Sequence, residues 1–375
     1  MPAKQYFPLQ DPVDSEDVVD RAAFLGELVE RLASGERLML AGPRRTGKTS
    51  LALEALRRLK AAGHYTAYVD LFGVESRGDF AELLVDQLFE NRSRLQRTVR
   101  AMRSVASGVA AAASGLDLKF PGFELAFSLA KKTGDSLFKE CLDLAQRMAE
   151  EDDRRVIVVL DEFQDFGKLG GDLVFKKLRA HFQRHAYVSY LFLGSQAGVM
   201  RELFGTGRQA FYRFAVPLDV PPVPEAAWIS YIDGKFRSRG LLPTDLGLRD
   251  IIARTGGHPS DTMWVCQEIW HAARELGTST LSAELVEVGY ERALQHLRLA
   301  FDEIWNGFTE HKGLQPLVSR IANGEQAYPK SEHPQTVTRA LHELLNTGVA
   351  KRLGRGTYRL TEPMLAEYVR RRTGR

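Results

Sequence analysis

Gly42-Pro43-Arg44-Arg45-Thr46-Gly47-Lys48-Thr49 spells glycine, four residues, then Gly-Lys-Thr, the pattern of a loop that cradles phosphate with its backbone. The flanks suit it. Arg37 to Ala41 reads as a short buried strand, and Ser50 to Leu59 as a helix with Leu51, Ala55 and Leu59 on one face. Strand, glycine loop and helix start together make an anion trap. The N–H groups of Arg45 to Thr49 would converge on a β-phosphate, Lys48 would reach the β and γ oxygens, and the Thr49 hydroxyl would hold Mg²⁺.

A second motif stands downstream. Arg154 to Glu162 is an apolar run that ends in Asp161 and Glu162, as expected of a central parallel strand buried on both faces. The two acids would emerge at its carboxyl end, where open α/β sheets bind ligands. Asp161 would bind Mg²⁺ through water, and Glu162 would orient or deprotonate the water that attacks a γ-phosphate. Tyr65 to Phe72, Ser189 to Gln196 and Phe214 to Val220 supply three more strands, alternating with helical segments. The fold class expected is α/β, a parallel five-stranded P-loop sheet with helices on both faces. Ser195 and Gln196 end the fourth strand, either as a turn or beside the carboxylates as contacts to γ-phosphate or water.

The composition is that of a soluble globular chain: 375 residues, 44% hydrophobic and 26% charged. No run of about 18 apolar residues is present, and Met1 to Asp11 lacks the layout of a secretory signal, so the cytoplasm is the expected location. Cys141 and Cys266 show no paired spacing and read as buried thiols. The net charge of +3 is unevenly placed: Asn306 to Arg375 carries twelve Lys or Arg against six Asp or Glu, a balance of +6, leaving −3 for the first 305 residues. That excess suits a phosphate backbone or another acidic partner at the C-terminal end.

The expected division is a P-loop core over 1–222 with an insert at about 91–135, a helical lid over 223–305, and a winged-helix domain over 306–375. In the insert, Arg92, Arg94, Arg97, Arg100 and Arg103 flank an amphipathic helical pattern, and a hairpin is expected around Pro121-Gly122. It is either a solvated addition or a contact for a partner. In the last segment, Leu314 to Ala322, a second short helix, and Pro334 to Leu345 would precede a ribbon of Val349 to Leu353 and Tyr358 to Leu360. Gln335, Thr338, Arg339 and His342 would face outward, and Lys351, Arg352, Arg355 and Arg359 would line the wing. Such a unit docks on double-stranded DNA or on a protein.

These motifs resemble the AAA+ and STAND-type branch of P-loop ATPases, and within it the archaeal and bacterial ATPase family related to origin-recognition and replication-initiator ATPases. The resemblance rests on residues 42 to 51, Leu-Asp-Glu-Phe-Gln at 160 to 164, Gly-Ser-Gln at 194 to 196, Phe211-Tyr212-Arg213-Phe214 and Gly256-Gly257-His258-Pro259. It implies ATP and Mg²⁺ as cofactors. The implied nucleotide-binding residues are Gly42, Pro43, Arg44, Arg45, Thr46, Gly47, Lys48, Thr49 and Ser50, with His258 and Pro259 against the adenine. Thr49 and Asp161 are the implied metal residues; Glu162, Lys48 and a sensor, Ser195 or Gln196, are catalytic. Arg213, with Arg208 as its rival, takes the place of an arginine that senses γ-phosphate or reaches a neighbour's nucleotide by self-association; a surface salt bridge explains it equally. Val18-Val19-Asp20-Arg21 resembles the family's lead-in motif, which places Val19 at the base pocket; a short covering helix is the other reading. The Gly-Gly-His-Pro stretch departs from the pattern in offering no arginine to the phosphate. The implied activity is ATP hydrolysis to ADP and phosphate, with nucleotide state moving the C-terminal unit on DNA or a protein partner. The alternative is a switch that holds nucleotide with negligible turnover and acts through protein contacts.

Overall fold

The computed structural model describes residues 6–9, 13, 15–91, 134–309, 313–329 and 332–374. Five parallel strands form one sheet: β1 (Arg37–Ala41), β2 (Tyr65–Asp70), β3 (Val156–Asp161), β4 (Val188–Gly194) and β5 (Val216–Leu218), ordered β2-β3-β4-β1-β5. Every residue of β3 and β4 is buried. The reason is the period of two. Val156, Val158 and Leu160 point into one apolar cluster, and Ile157 and Val159 into another on the opposite face. The second cluster is closed by α1 (Ala22–Ala33) and α2 (Lys48–Ala61) through Leu25, Leu28, Leu51, Ala55 and Leu59. The first is closed by α3 (Arg77–Phe89), α4 (Gly134–Cys141), α5 (Leu144–Asp152) and α6 (Gly171–Phe182), with Phe163, Phe192, Phe204 and Phe211 in mutual ring contact. Cys141 and Cys266 are buried free thiols.

β5 is shorter than the stretch Phe214 to Val220 suggested. Pro217 has no N–H to give to a neighbour, which confines this strand to the sheet edge beside β1. The arginine-rich helix and the Pro121-Gly122 hairpin of the insert lie outside the described residues.

After α7 (Ala197–Gly205) and β5 come four helices, α8 (Glu225–Arg237), α9 (Asp245–Thr255), α10 (Pro259–Leu276) and α11 (Ala283–Gly307). Then follow α12 (Leu314–Ala322), α13 (Pro334–Asn346), an antiparallel ribbon of β6 (Ala350–Gly354) and β7 (Thr357–Leu360), and α14 (Pro363–Thr373). Two expectations change here. The described residues between α12 and α13 form turns and bends rather than a second short helix, as Gly324 at φ +72 and Pro329 dictate. A helix also follows the ribbon, with Met364, Leu365, Tyr368 and Val369 on its buried face. Trp228, Ile232, Ile251, Ile269, Phe301, Leu317, Leu341, Met364 and Val369 all belong to one apolar cluster, so the expected lid and winged-helix segments share a continuous core. Among the described residues no helix is long and apolar enough to cross a membrane.

Candidate functional site

The phosphate loop leaves β1 at Ala41 and feeds α2 at Lys48. Gly47 has φ +88, and a methyl group there would lie 2.7 Å from Nη1 of Arg21, so only glycine fits. That Arg21 nitrogen donates to the Thr46 carbonyl at 2.7 Å, bracing the loop from beneath. Arg21 is buried, its Nε has no partner among the described residues, and burial draws its pKa down to about 10. Thr46 Oγ1 donates to the Pro43 carbonyl at 2.9 Å, and Lys48 Nζ donates to the carbonyls of Gly42 and Pro43 at 2.7 and 2.6 Å. The N-terminus of α2, with its positive dipole end, opens at this loop.

The two carboxylates meet the loop from β3. Thr49 Oγ1 and the Tyr68 hydroxyl both donate to Asp161 Oδ2, at 2.7 and 2.9 Å, while the Glu162 N–H donates to Oδ1 at 2.8 Å. Burial raises the Asp161 pKa against these bonds; burial and the neighbouring carboxylates keep the Tyr68 phenol protonated. Glu162 adopts a left-handed backbone, φ +50, an uncommon conformation for a non-glycine residue. Its Oε2 accepts from the N–H and hydroxyl of Ser195, at 3.0 and 2.8 Å, and from Gln164 Nε2 at 2.5 Å. Burial would raise this carboxyl, but the bonds from Gln164 and Ser195 and the Lys48 charge outweigh it and hold the pKa below the usual range. Of the pair Ser195 and Gln196, Ser195 makes the contact; Gln196 sits at the N-cap of α7. Arg44 reaches the Ser195 hydroxyl at 3.5 Å.

Beside the loop opens a cleft lined by Val19, Asp17, Ser50, Trp228, Pro259 and Met263. Its lining mixes apolar side chains such as Val19, Trp228 and Met263 with a few polar groups, a make-up that suits a nucleobase. Asp17 ties it to α8, accepting from Tyr231 and Lys235 at 2.6 Å each. His258 caps α10, with Pro259 as its first residue, and its Nε2 is buried without a hydrogen-bond partner among the described residues.

The C-terminal elements touch the same loop. Arg45, at φ +62, pairs with Glu362 at 3.0 Å, just before α14. Burial raises the Glu362 pKa, and Arg45 only partly opposes this. Asp261 of α10 accepts from the Met364 N–H at 3.0 Å, joining α10 to the start of α14. At Gly348, φ +76, a methyl would lie 3.1 Å from the Ser195 carbonyl and 3.4 Å from Pro43 Cα.

Lys48, Thr49, Asp161, Glu162 and Ser195 are therefore brought together, with Val19 and Pro259 in the adjoining cleft. Arg213 is not. It precedes β5, whose Val216 pairs with Leu38 near the start of β1, whereas the phosphate loop leaves the other end of that strand. Arg213 lines a separate cleft with Glu36 and Arg37, its guanidinium 5.3 Å from the Tyr212 ring centre. Arg208 is exposed on the same connection. In a parallel sheet those two ends lie on opposite sides, so Arg213 stands away from its own chain's phosphate loop. Sequence reasoning gave no site role to Asp17, Tyr68, Gln164, Trp228 or Glu362, although Gln164 stood within the quoted Leu-Asp-Glu-Phe-Gln motif and Trp228 in the helical segment over 223–305. Only Gln164 carried a signal, standing two residues after Glu162.

A family model described as an ATPase domain predominantly from Archaea matches residues 18–261. No curated protein matches the chain. Among solved structures, the fold is similar to a Walker-type ATPase of Pyrococcus abyssi, with TM-score 0.72 at 17% identity over 97% of this chain and 99% of that one. It is also similar to the ORC2 protein of Aeropyrum pernix in its ADPNP-ADP complexes, with TM-score 0.58 at 14% identity over 100% and 99%. At these identities the likeness concerns the fold.

Proposed function

The chain belongs to a family of ATPase domains found predominantly in Archaea, and from that premise we propose that it binds ATP with Mg²⁺, hydrolyses it, and uses the nucleotide state to reposition its C-terminal unit on DNA or a protein partner. The observation that carries the reading is the convergence of Thr49, Asp161, Glu162 and Lys48 on one end of the sheet. Lys48 and the N–H groups that open α2 would take the phosphates. The donor set fits Mg²⁺, which is usually held by one or two carboxylates together with substrate phosphates. Thr49 donates its O–H hydrogen bond to Asp161, which leaves the hydroxyl lone pairs for the ion. When bound, the ion would neutralise charge on the phosphate oxygens. Glu162 would accept the proton of a water attacking the γ-phosphorus, as the bond from that phosphorus to the ADP oxygen breaks.

The C-terminal residues 306–374 form the unit proposed as the winged helix. Gln335, Thr338, Arg339 and His342 on α13 are exposed, as are Lys351, Arg352, Arg355 and Arg359 on the ribbon. The contacts Arg45–Glu362 and Gly348–Ser195 support coupling, because both touch loops that phosphate would occupy or approach. Arg213, on the far end of the sheet, is suited to a neighbouring copy's nucleotide rather than its own.

One observation favours the second reading, a switch with little basal turnover. Three donors already occupy Glu162 Oε2, and the C-terminal unit packs on the Ser195 turn that supplies two of them. The deciding experiment is ATP hydrolysis by wild type and Glu162→Gln, with and without duplex DNA at physiological salt. We expect turnover that DNA stimulates and that falls by about 10²- to 10⁴-fold in the variant, with nucleotide still bound. Turnover indifferent to DNA would assign the C-terminal unit to a protein. Absence of turnover under all conditions would leave the nucleotide-holding switch.

A further inference from the structure

Tyr68 lies on β2, opposite Val159 of β3, and packs its ring against the leucine cluster under α1 and α2. Its hydroxyl is placed by the sheet register, not by a loop. It donates to Asp161 Oδ2 at 2.9 Å, beside the Thr49 bond to the same oxygen at 2.7 Å. Oδ2 thus accepts two hydrogen bonds, about one for each lone-pair position of a carboxylate oxygen. Oδ1 accepts the Glu162 N–H in one of its own two positions.

We propose that Tyr68 is a positioning residue for the metal-binding carboxylate. By bonding Oδ2 together with Thr49, it fixes the rotation of Asp161, and with it the carboxylate that would hold the ion. It acts through its bond to Asp161. The inference rests on the reading of Thr49 and Asp161 as the Mg²⁺ residues. Neighbours that orient a metal ligand in this way typically alter metal affinity by about 10- to 100-fold when they are removed.

Tyr68→Phe keeps the ring in its packing and removes only the hydroxyl. Binding of a fluorescent ATP analogue, titrated with Mg²⁺ and separately in EDTA, reads the metal requirement without reference to turnover. The expected result is a Mg²⁺ half-saturation raised by about tenfold, analogue affinity in EDTA as in wild type, and an unchanged melting temperature. In an Asp161→Asn background the same substitution should add nothing, since its effect passes through that carboxylate. An unchanged Mg²⁺ requirement overturns the proposal. So does a loss of affinity that is equal in EDTA, or an additive effect in the double variant, because either marks a general structural role. If wild type itself binds the analogue with no Mg²⁺ dependence, the metal reading fails first and the positioning role with it, an outcome visible before any variant is compared.

Discussion

Gly198, the second residue of α7, lies so close to Asn346 at the end of α13 that a methyl group on it would sit 2.0 Å from the Asn346 Oδ1 and 2.5 Å from its Cα. A backbone atom is among those it meets, so rotation of one side chain cannot relieve the clash. Gly198→Ala should therefore lift the C-terminal unit off the Ser195 turn. Overpacking of this kind costs about 1–3 kcal/mol when it is accommodated in place. In steady-state hydrolysis we expect basal turnover to rise on the order of fivefold, the low end of ordinary coupling between sites, and further stimulation by the physiological partner to shrink. Basal turnover equal to wild type in a folded variant would show that docking does not restrain Glu162.

The Arg45–Glu362 pair has an unusual balance. Burial raises the Glu362 pKa above the ordinary carboxylate value despite the nearby guanidinium, so the folded state holds this proton more tightly than the unfolded chain. The corresponding stability is fully present below the ordinary carboxylate value and is lost as pH rises through the raised one. Glu362→Gln should accordingly match wild type in acid and be as stable or more so at neutral pH, in keeping with buried ion pairs that fail to recover their desolvation. Thermal melts across pH 4 to 8, on the order of the usual carboxylate range and above, would check this. A variant less stable at neutral pH than in acid, relative to wild type, would contradict it.

For the ribbon, replacing Lys351, Arg352, Arg355 and Arg359 together by Ala should weaken binding of duplex DNA of any sequence. For every phosphate that the variant no longer neutralises, the slope of log affinity against log salt should become shallower by about 0.9. A fluorescence anisotropy titration at several salt concentrations gives both quantities. An unchanged slope would remove the ribbon from any role on DNA and favour a protein partner.

Much of this site is legible in the sequence. β1 and β3 stand out because strands covered on both faces are largely apolar, and each leads into residues with few other uses: β1 into the loop that ends in Gly47-Lys48-Thr49, β3 into Asp161 and Glu162. Arg213 is legible as a residue but not as a location, since only the pairing of β5 with the start of β1 shows which end of the sheet it occupies. Tyr68 and Asp161 are 93 residues apart, and Arg45 and Glu362 are 317 apart, so no local spacing records either contact. Arg21 lies 25 residues before the carbonyl it supports, so the Val18-Val19-Asp20-Arg21 lead-in motif marks the residue without revealing that contact. The final helix is absent from the sequence-based expectation although Pro363 and the apolar residues after it announce one, because three helices and a ribbon already complete a winged helix.

Trp228 in α8, Phe301 in α11 and Val369 in α14 lie in one apolar cluster. A chain stopped after residue 305 would lay the inner sides of Phe301 and Leu297 open to water, and the removed piece would take Met364 and Tyr368 away from their packing. A unit exchanged between relatives, or grafted by an engineer, would have to carry the stretch from Val223 to the C-terminal helix together with the N-terminal Phe7 and Val19 that share its core; the last helices and ribbon alone would arrive without much of their interior.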